Sequence, residues 1–108
     1  MNLERYRNCS IRIEMLNDHI KALEEYDSIV DLSEQLKDAY SEREQLEQER
    51  EQVKEFIKNI PDERYRVMFY LFYCKNYTKR AIAEYLGITE AYLYKLWKKA
   101  EKEVKAYE

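Results

Sequence analysis

Across 108 residues the chain holds one glycine, Gly87, and one proline, Pro61. That shortage constrains the backbone more than any other feature. Glycine supplies positive φ and proline stops regular structure, so a chain with one of each has few places to reverse sharply. Long helices with few connections are expected. Charged residues make up 38% and hydrophobic residues 45%, which indicates an all-α chain too charged to bury itself entirely as one compact globule. The length allows one small domain with an extended arm.

The arm is read from residues 1 to 59. Ile13, Leu16, Ile20 and Leu23 recur at helical intervals of three and four, predicting a first helix from about 3 to 27. The pattern stumbles over Tyr26–Asp31, where Ser28, Asp27 and Asp31 can bond to local backbone and Asp31 and Glu34 have capping-box spacing. From Leu32 it resumes: Ala39, Leu46, Val53 and Ile60 are separated by sevens, and Leu36 and Ile57 share a second row with Arg43 and Arg50. Two guanidiniums in that row argue against an uninterrupted coiled coil. The stripe needs cover from the first helix folded back, from a second subunit, or from both. Leu16, Ile20, Leu23, Leu36, Leu46 and Val53 are the candidate dimerisation residues, and a homodimer is expected. The dense Glu, Gln, Arg and Lys run over 41–55 reads as a solvated helix surface.

Ile60-Pro61-Asp62 marks the start of a second part, 60–108. Pro61 disfavours helical geometry at Ile60 and is tolerated where a new helix begins. Val67, Met68, Leu71 and Phe72 predict the apolar face of a buried helix, widened by Phe69, Tyr70 and Tyr73, and Asn76 supplies the left-handed residue that ends it. Net charge changes sign along the chain. Residues 1–60 carry 9 Lys and Arg against 15 Asp and Glu, a balance of −6, whereas 61–108 carry 10 against 7, a balance of +3.

Thr78–Trp97 has the spacing of a helix-turn-helix. Ala83 lies four residues before Gly87, and Ile82, Leu86, Ile88, Leu93 and Leu96 fall where two crossing helices touch. Gly87 can leave a helix through positive φ, and Thr89 can cap the next. That helix, about 89–105, is the candidate recognition helix for a DNA major groove. Leu93, Trp97, Ala100 and Val104 form one line along it, and Lys95, Lys98, Lys102 and Lys105 the opposite line, flanked by Lys99. Such a stripe attracts a phosphate backbone.

At the head of the helix, Glu90 could accept from cytosine N4, Ala91 could pack on a thymine methyl, and Lys95 could reach guanine. Lys79 and Arg80, opening the preceding helix, are candidates for clamping a phosphate. Seven of the eleven tyrosines lie between 65 and 94, where rings in the core and wet hydroxyls are expected. Tyr94 falls beside the lysines and is the candidate for a base contact.

Other classes find little support. Cys9 and Cys74 are far apart and His19 is the sole histidine, so no metal site or cofactor is expected. With no phosphate loop or nucleophile beside a base, an enzyme is not expected. No apolar run approaches a bilayer span and no signal-peptide order opens the chain, so a cytoplasmic protein with reduced thiols is expected, without a membrane partner.

Ile60-Pro61-Asp62-Glu63-Arg64-Tyr65-Arg66, an apolar helix, and Tyr77–Ile88 together resemble the region 4 domain of sigma-70 factors. The resemblance is closer to small phage and prophage proteins of the RinA/ArpU-like late transcription regulators, and it covers residues 60–104. It departs at Asn76, where the sigma pattern has Gly, and at Trp97, which replaces a smaller apolar residue. The resemblance implies double-stranded promoter or operator DNA as partner, activation of late phage genes, and contact with RNA polymerase. Two rivals stay open: a small terminase-like packaging protein, and an interaction module that grips RNA polymerase without touching DNA.

Overall fold

A computed structural model describes residues 1–106. It is all-helical, with no strand among the described residues. Helix α1 spans Glu4–Asp27, α2 Ser33–Lys58, α3 Glu63–Phe69, α4 Lys79–Leu86 and α5 Glu90–Ala106; α3 continues into one turn of π-helix, Tyr70–Cys74. The chain forms two compact units, Glu4–Gln52 and a second comprising Met1–Leu3 and the chain from Val53 onward. The second unit thus begins inside α2, whose last turns bury Val53 and Ile57 completely.

In the first unit α1 and α2 form an antiparallel hairpin. Leu16, Ile20, Leu36 and Ala39 bury against one another, with Leu23 and Leu46 packed on them. The stripe expected to pair two subunits is therefore covered inside one chain: Leu16, Ile20 and Leu36 are core, and Val53 is core of the other unit. The two arginines that disturb the apolar row have partners on α1. Arg43 donates to Asn17 Oδ1 at 2.9 Å, and Arg50 donates to Ser10 Oγ at 3.5 Å while lying over the Tyr6 ring. Arg12–Glu42 at 3.0 Å and Arg5–Glu49 at 3.2 Å extend this ladder. Exposed pairs of this kind contribute little stability but penalise a slipped register. Cys9 is buried beside Glu49; burial and that carboxylate push its thiol pKa up.

The hairpin turns over Ser28–Leu32. Ile29 and Val30 donate to Tyr26 O, and the Asp27 carboxylate accepts from Leu32 N–H at 2.9 Å. The capping box expected from Asp31 and Glu34 does not form, because α2 starts two residues after Asp31, whose carboxylate accepts from Ser33 N–H.

In the second unit Pro61 stands just outside α3, and Asp62 is its N-cap, accepting from Arg64 N–H at 2.9 Å and Tyr65 N–H at 3.3 Å. Burial opposes ionisation of Asp62, but the Arg64 guanidinium and the two amides outweigh it and hold the carboxyl below its ordinary value. A carboxylate whose folded pKa is depressed stabilises the fold above its unfolded pKa, about 3.9, and loses that contribution as pH falls through the folded value. Asp62→Ala is expected to cost about 1 kcal/mol at neutral pH. The cost should shrink below about pH 4, as read by urea denaturation at both pH values.

The core face of α3 is Tyr65, Met68 and Phe69, not the expected Val67, Leu71 and Phe72, which are only half-buried. The π-turn closes through Lys75 N–H to Tyr70 O and Tyr77 N–H to Leu71 O, and Asn76 takes φ 59° to end it, the left-handed conformation expected there. Helix α5 packs against both α3 and α4.

Candidate nucleic-acid interface

Helices α4 and α5 are joined by three residues whose chemistry dictates the reversal. Gly87 has φ 70°; its N–H donates to Glu84 O and that of Ile88 to Ala83 O, the paired bonds of a Schellman ending. A Cβ at Gly87 would meet no atom within 4 Å, so the backbone conformation alone selects glycine there. Both helices then carry threonine caps: Thr78 Oγ1 accepts from Ala81 N–H and Thr89 Oγ1 from Tyr92 N–H, each at 3.1 Å.

On α5, Leu93, Leu96, Trp97, Ala100 and Val104 are buried. Lys95, Lys98, Lys99 and Lys102 are all exposed. At about 100° per residue these lysines fill the arc opposite Trp97. Ala91, also exposed, stands at the head of the same arc. Among the described residues none of the four ammonium groups has a carboxylate within 4.0 Å. Among those residues they form an unneutralised cationic ridge.

The two candidates on α4 fare differently. Arg80 is 79% exposed and reaches Glu84 at 3.9 Å and Glu90 at 3.8 Å, which ties the start of α5 to α4 across the turn. Glu90 thus has a cationic neighbour within its own unit, which a cytosine would have to displace. Lys79 is not directed at solvent. Its ammonium lies 4.7 Å from the Trp97 ring centroid, 5.2 Å from that of Tyr94 and 5.7 Å from that of Phe72. Three ring faces attract it by cation–π interaction, so Lys79 braces α4 against α5.

Of the tyrosines, Tyr65 is core, Tyr70 and Tyr73 are half-buried, and Tyr77, Tyr92 and Tyr94 keep about half their surface exposed; Tyr85, 68% exposed, departs from the expected half-burial. Tyr92 and Tyr94 flank the lysine ridge on opposite sides of α5, so Tyr92 joins Tyr94 as an aromatic neighbour of the cations. Helical spacing alone would have found it.

Among the described residues no group of three or more His, Cys, Asp or Glu is arranged to hold a metal, and no helix is long and apolar enough to cross a membrane. No family model, curated protein or solved structure matches this chain.

Proposed function

We propose that the chain is a double-stranded-DNA-binding transcription regulator whose helix-turn-helix, α4 and α5, presents α5 to the major groove. The observation that carries this reading is the ridge of Lys95, Lys98, Lys99 and Lys102, exposed and without carboxylate partners among the described residues, on a helix anchored from behind by Trp97. Lysines confer affinity and register; sequence discrimination falls to Glu90, Ala91, Tyr94 and Lys95 at the N-terminal half of the helix. The resemblance of 60–104 to sigma-70 region 4 and to RinA/ArpU-like proteins favours a late phage or prophage regulator acting beside RNA polymerase. Two copies would set their recognition helices about one DNA turn, ~34 Å, apart. With the Leu16–Leu46 stripe covered within the chain, pairing must use another surface.

Three lysine–phosphate contacts, from Lys98, Lys99 and Lys102, predict a log–log salt slope near −3 per bound copy, a loss of roughly 50-fold in affinity between 50 and 200 mM salt. Fluorescence anisotropy with DNA duplexes recovered by selection from a random pool measures it. A flat salt response, or no duplex selected over the pool, would sink the reading.

A further inference from the structure

The second unit carries an open groove of about 570 Å³ that α5 does not use. Its floor is Ile57, Val67, Tyr70 and Leu71, and Tyr85, 68% exposed, stands at one edge. The rest of the lining is basic: Lys54, Lys58 and Arg66, with no carboxylate among the residues that form it. Lys58 also pairs with Glu55 at 3.5 Å. Val67 and Leu71 are the residues expected in the core of α3 that the fold leaves half-open, and a volume of this size accommodates several side chains.

The first unit carries the complementary feature at the far end of its hairpin. Tyr26, Ile29 and Val30 are 59%, 76% and 60% exposed, the largest cluster of exposed apolar side chains on that unit. Between Glu24 and Glu34 the chain has five carboxylates, Glu24, Glu25, Asp27, Asp31 and Glu34, and no Lys or Arg. Scattered exposed apolar residues need no explanation, but three clustered within five positions and ringed by one sign of charge mark an interaction surface. An apolar knob with an acidic collar matches an apolar groove with a basic rim in both respects, and charge complementarity of this kind sets partner choice and register.

We infer that the hairpin tip of one copy docks in the basic-rimmed groove of a second copy, Ile29 and Val30 against Val67 and Leu71, with the Glu25–Glu34 collar facing Lys54, Lys58 and Arg66. The contact joins unlike patches, and two copies making it reciprocally would form a twofold dimer. It supplies the pairing surface that the proposed regulator needs, and it stands or falls separately from the lysine ridge.

Sedimentation equilibrium of the full chain tests it, with circular dichroism to verify that each variant is folded. The wild-type chain is expected to self-associate, more weakly as salt rises. Ile29→Asp with Val30→Asp, and separately Lys54→Glu with Lys58→Glu, should each weaken association at least tenfold. All four changed side chains except Lys54 are exposed, so folding should survive. Mixing the tip variant with the rim variant leaves one intact contact and should yield a mixed dimer. Adding Glu25→Lys and Glu34→Lys to the rim variant should restore self-association. A wild-type chain monomeric up to about 1 mM, or association unchanged in the tip variant, overturns the inference. Lys98→Glu with Lys102→Glu should leave association intact, so loss of DNA binding and loss of pairing are read apart.

Discussion

Trp97→Ala should destabilise the second unit by about 3–5 kcal/mol, much of the stability a small domain possesses. Trp97 is 4% exposed, so truncation opens a cavity where a large ring was. It also meets Phe69 edge-on at 5.1 Å and Phe72 at 5.0 Å, both favourable T-shaped geometries. Removing the indole leaves the Lys79 ammonium with Phe72 and Tyr94 only. The damage is therefore double: the core loses volume, and the brace between α4 and α5 loses its nearest ring. Trp97→Phe, keeping an aromatic face, should cost distinctly less. Trp97 is the sole tryptophan, so wild-type unfolding can be followed by its fluorescence, and the variant by circular dichroism in urea.

Lys95→Glu, Lys98→Glu and Lys102→Glu combined should lower DNA affinity by roughly 10³-fold at moderate salt, about tenfold for each lost charge-assisted contact, and flatten the salt dependence by about two units of slope, one each for Lys98 and Lys102. The three side chains are exposed, and surface substitutions of this kind usually move stability by no more than about 0.5 kcal/mol each. A preserved melting temperature with lost binding would separate the ridge from the fold. Glutamine at the same positions removes the charges without adding repulsion and should fall between the two. If the glutamate variant binds duplex as the wild-type chain does, α5 is not the DNA-contacting helix. Lys79→Gln makes an informative companion, since a lysine held among rings should contribute far less to the salt slope than Lys98.

Helix positions were legible in the sequence because each helix announces itself by spacing and by its ends. Ile13, Leu16 and Ile20 mark α1, and Gly87 and Thr89 mark the turn before α5, where φ 70° and a hydroxyl cap are local requirements. Which surface covers an apolar stripe is not a local property. Leu16 and Leu36 look alike whether a second subunit or the same chain buries them. Arg43 and Arg50 looked like faults in a seam until Asn17 and Ser10 were brought opposite by the hairpin's register.

The α3 segment failed for another reason. Val67 through Tyr73 is apolar on nearly all sides, so periodicity cannot choose between Met68–Phe69 and Val67–Leu71 as the inner face. The π-turn after Phe69 shifts that periodicity further. In the candidate interface the ridge was visible as every third or fourth lysine. The aromatic setting of Lys79 was not, because its rings come from separate stretches of chain.

The guanidinium rungs at Arg43 and Arg50 make the hairpin a ruler. Sliding α1 past α2 by one turn would carry Asn17 and Ser10 away from Arg43 and Arg50 and break both hydrogen bonds, so one alignment is favoured over its neighbours. With 24 residues in α1 at ~1.5 Å each, the bend is carried ~36 Å from the helix's first residue. Inserting or deleting a whole turn in both helices would keep the rungs matched while changing that reach, a way to lengthen or shorten the span without redesigning either end.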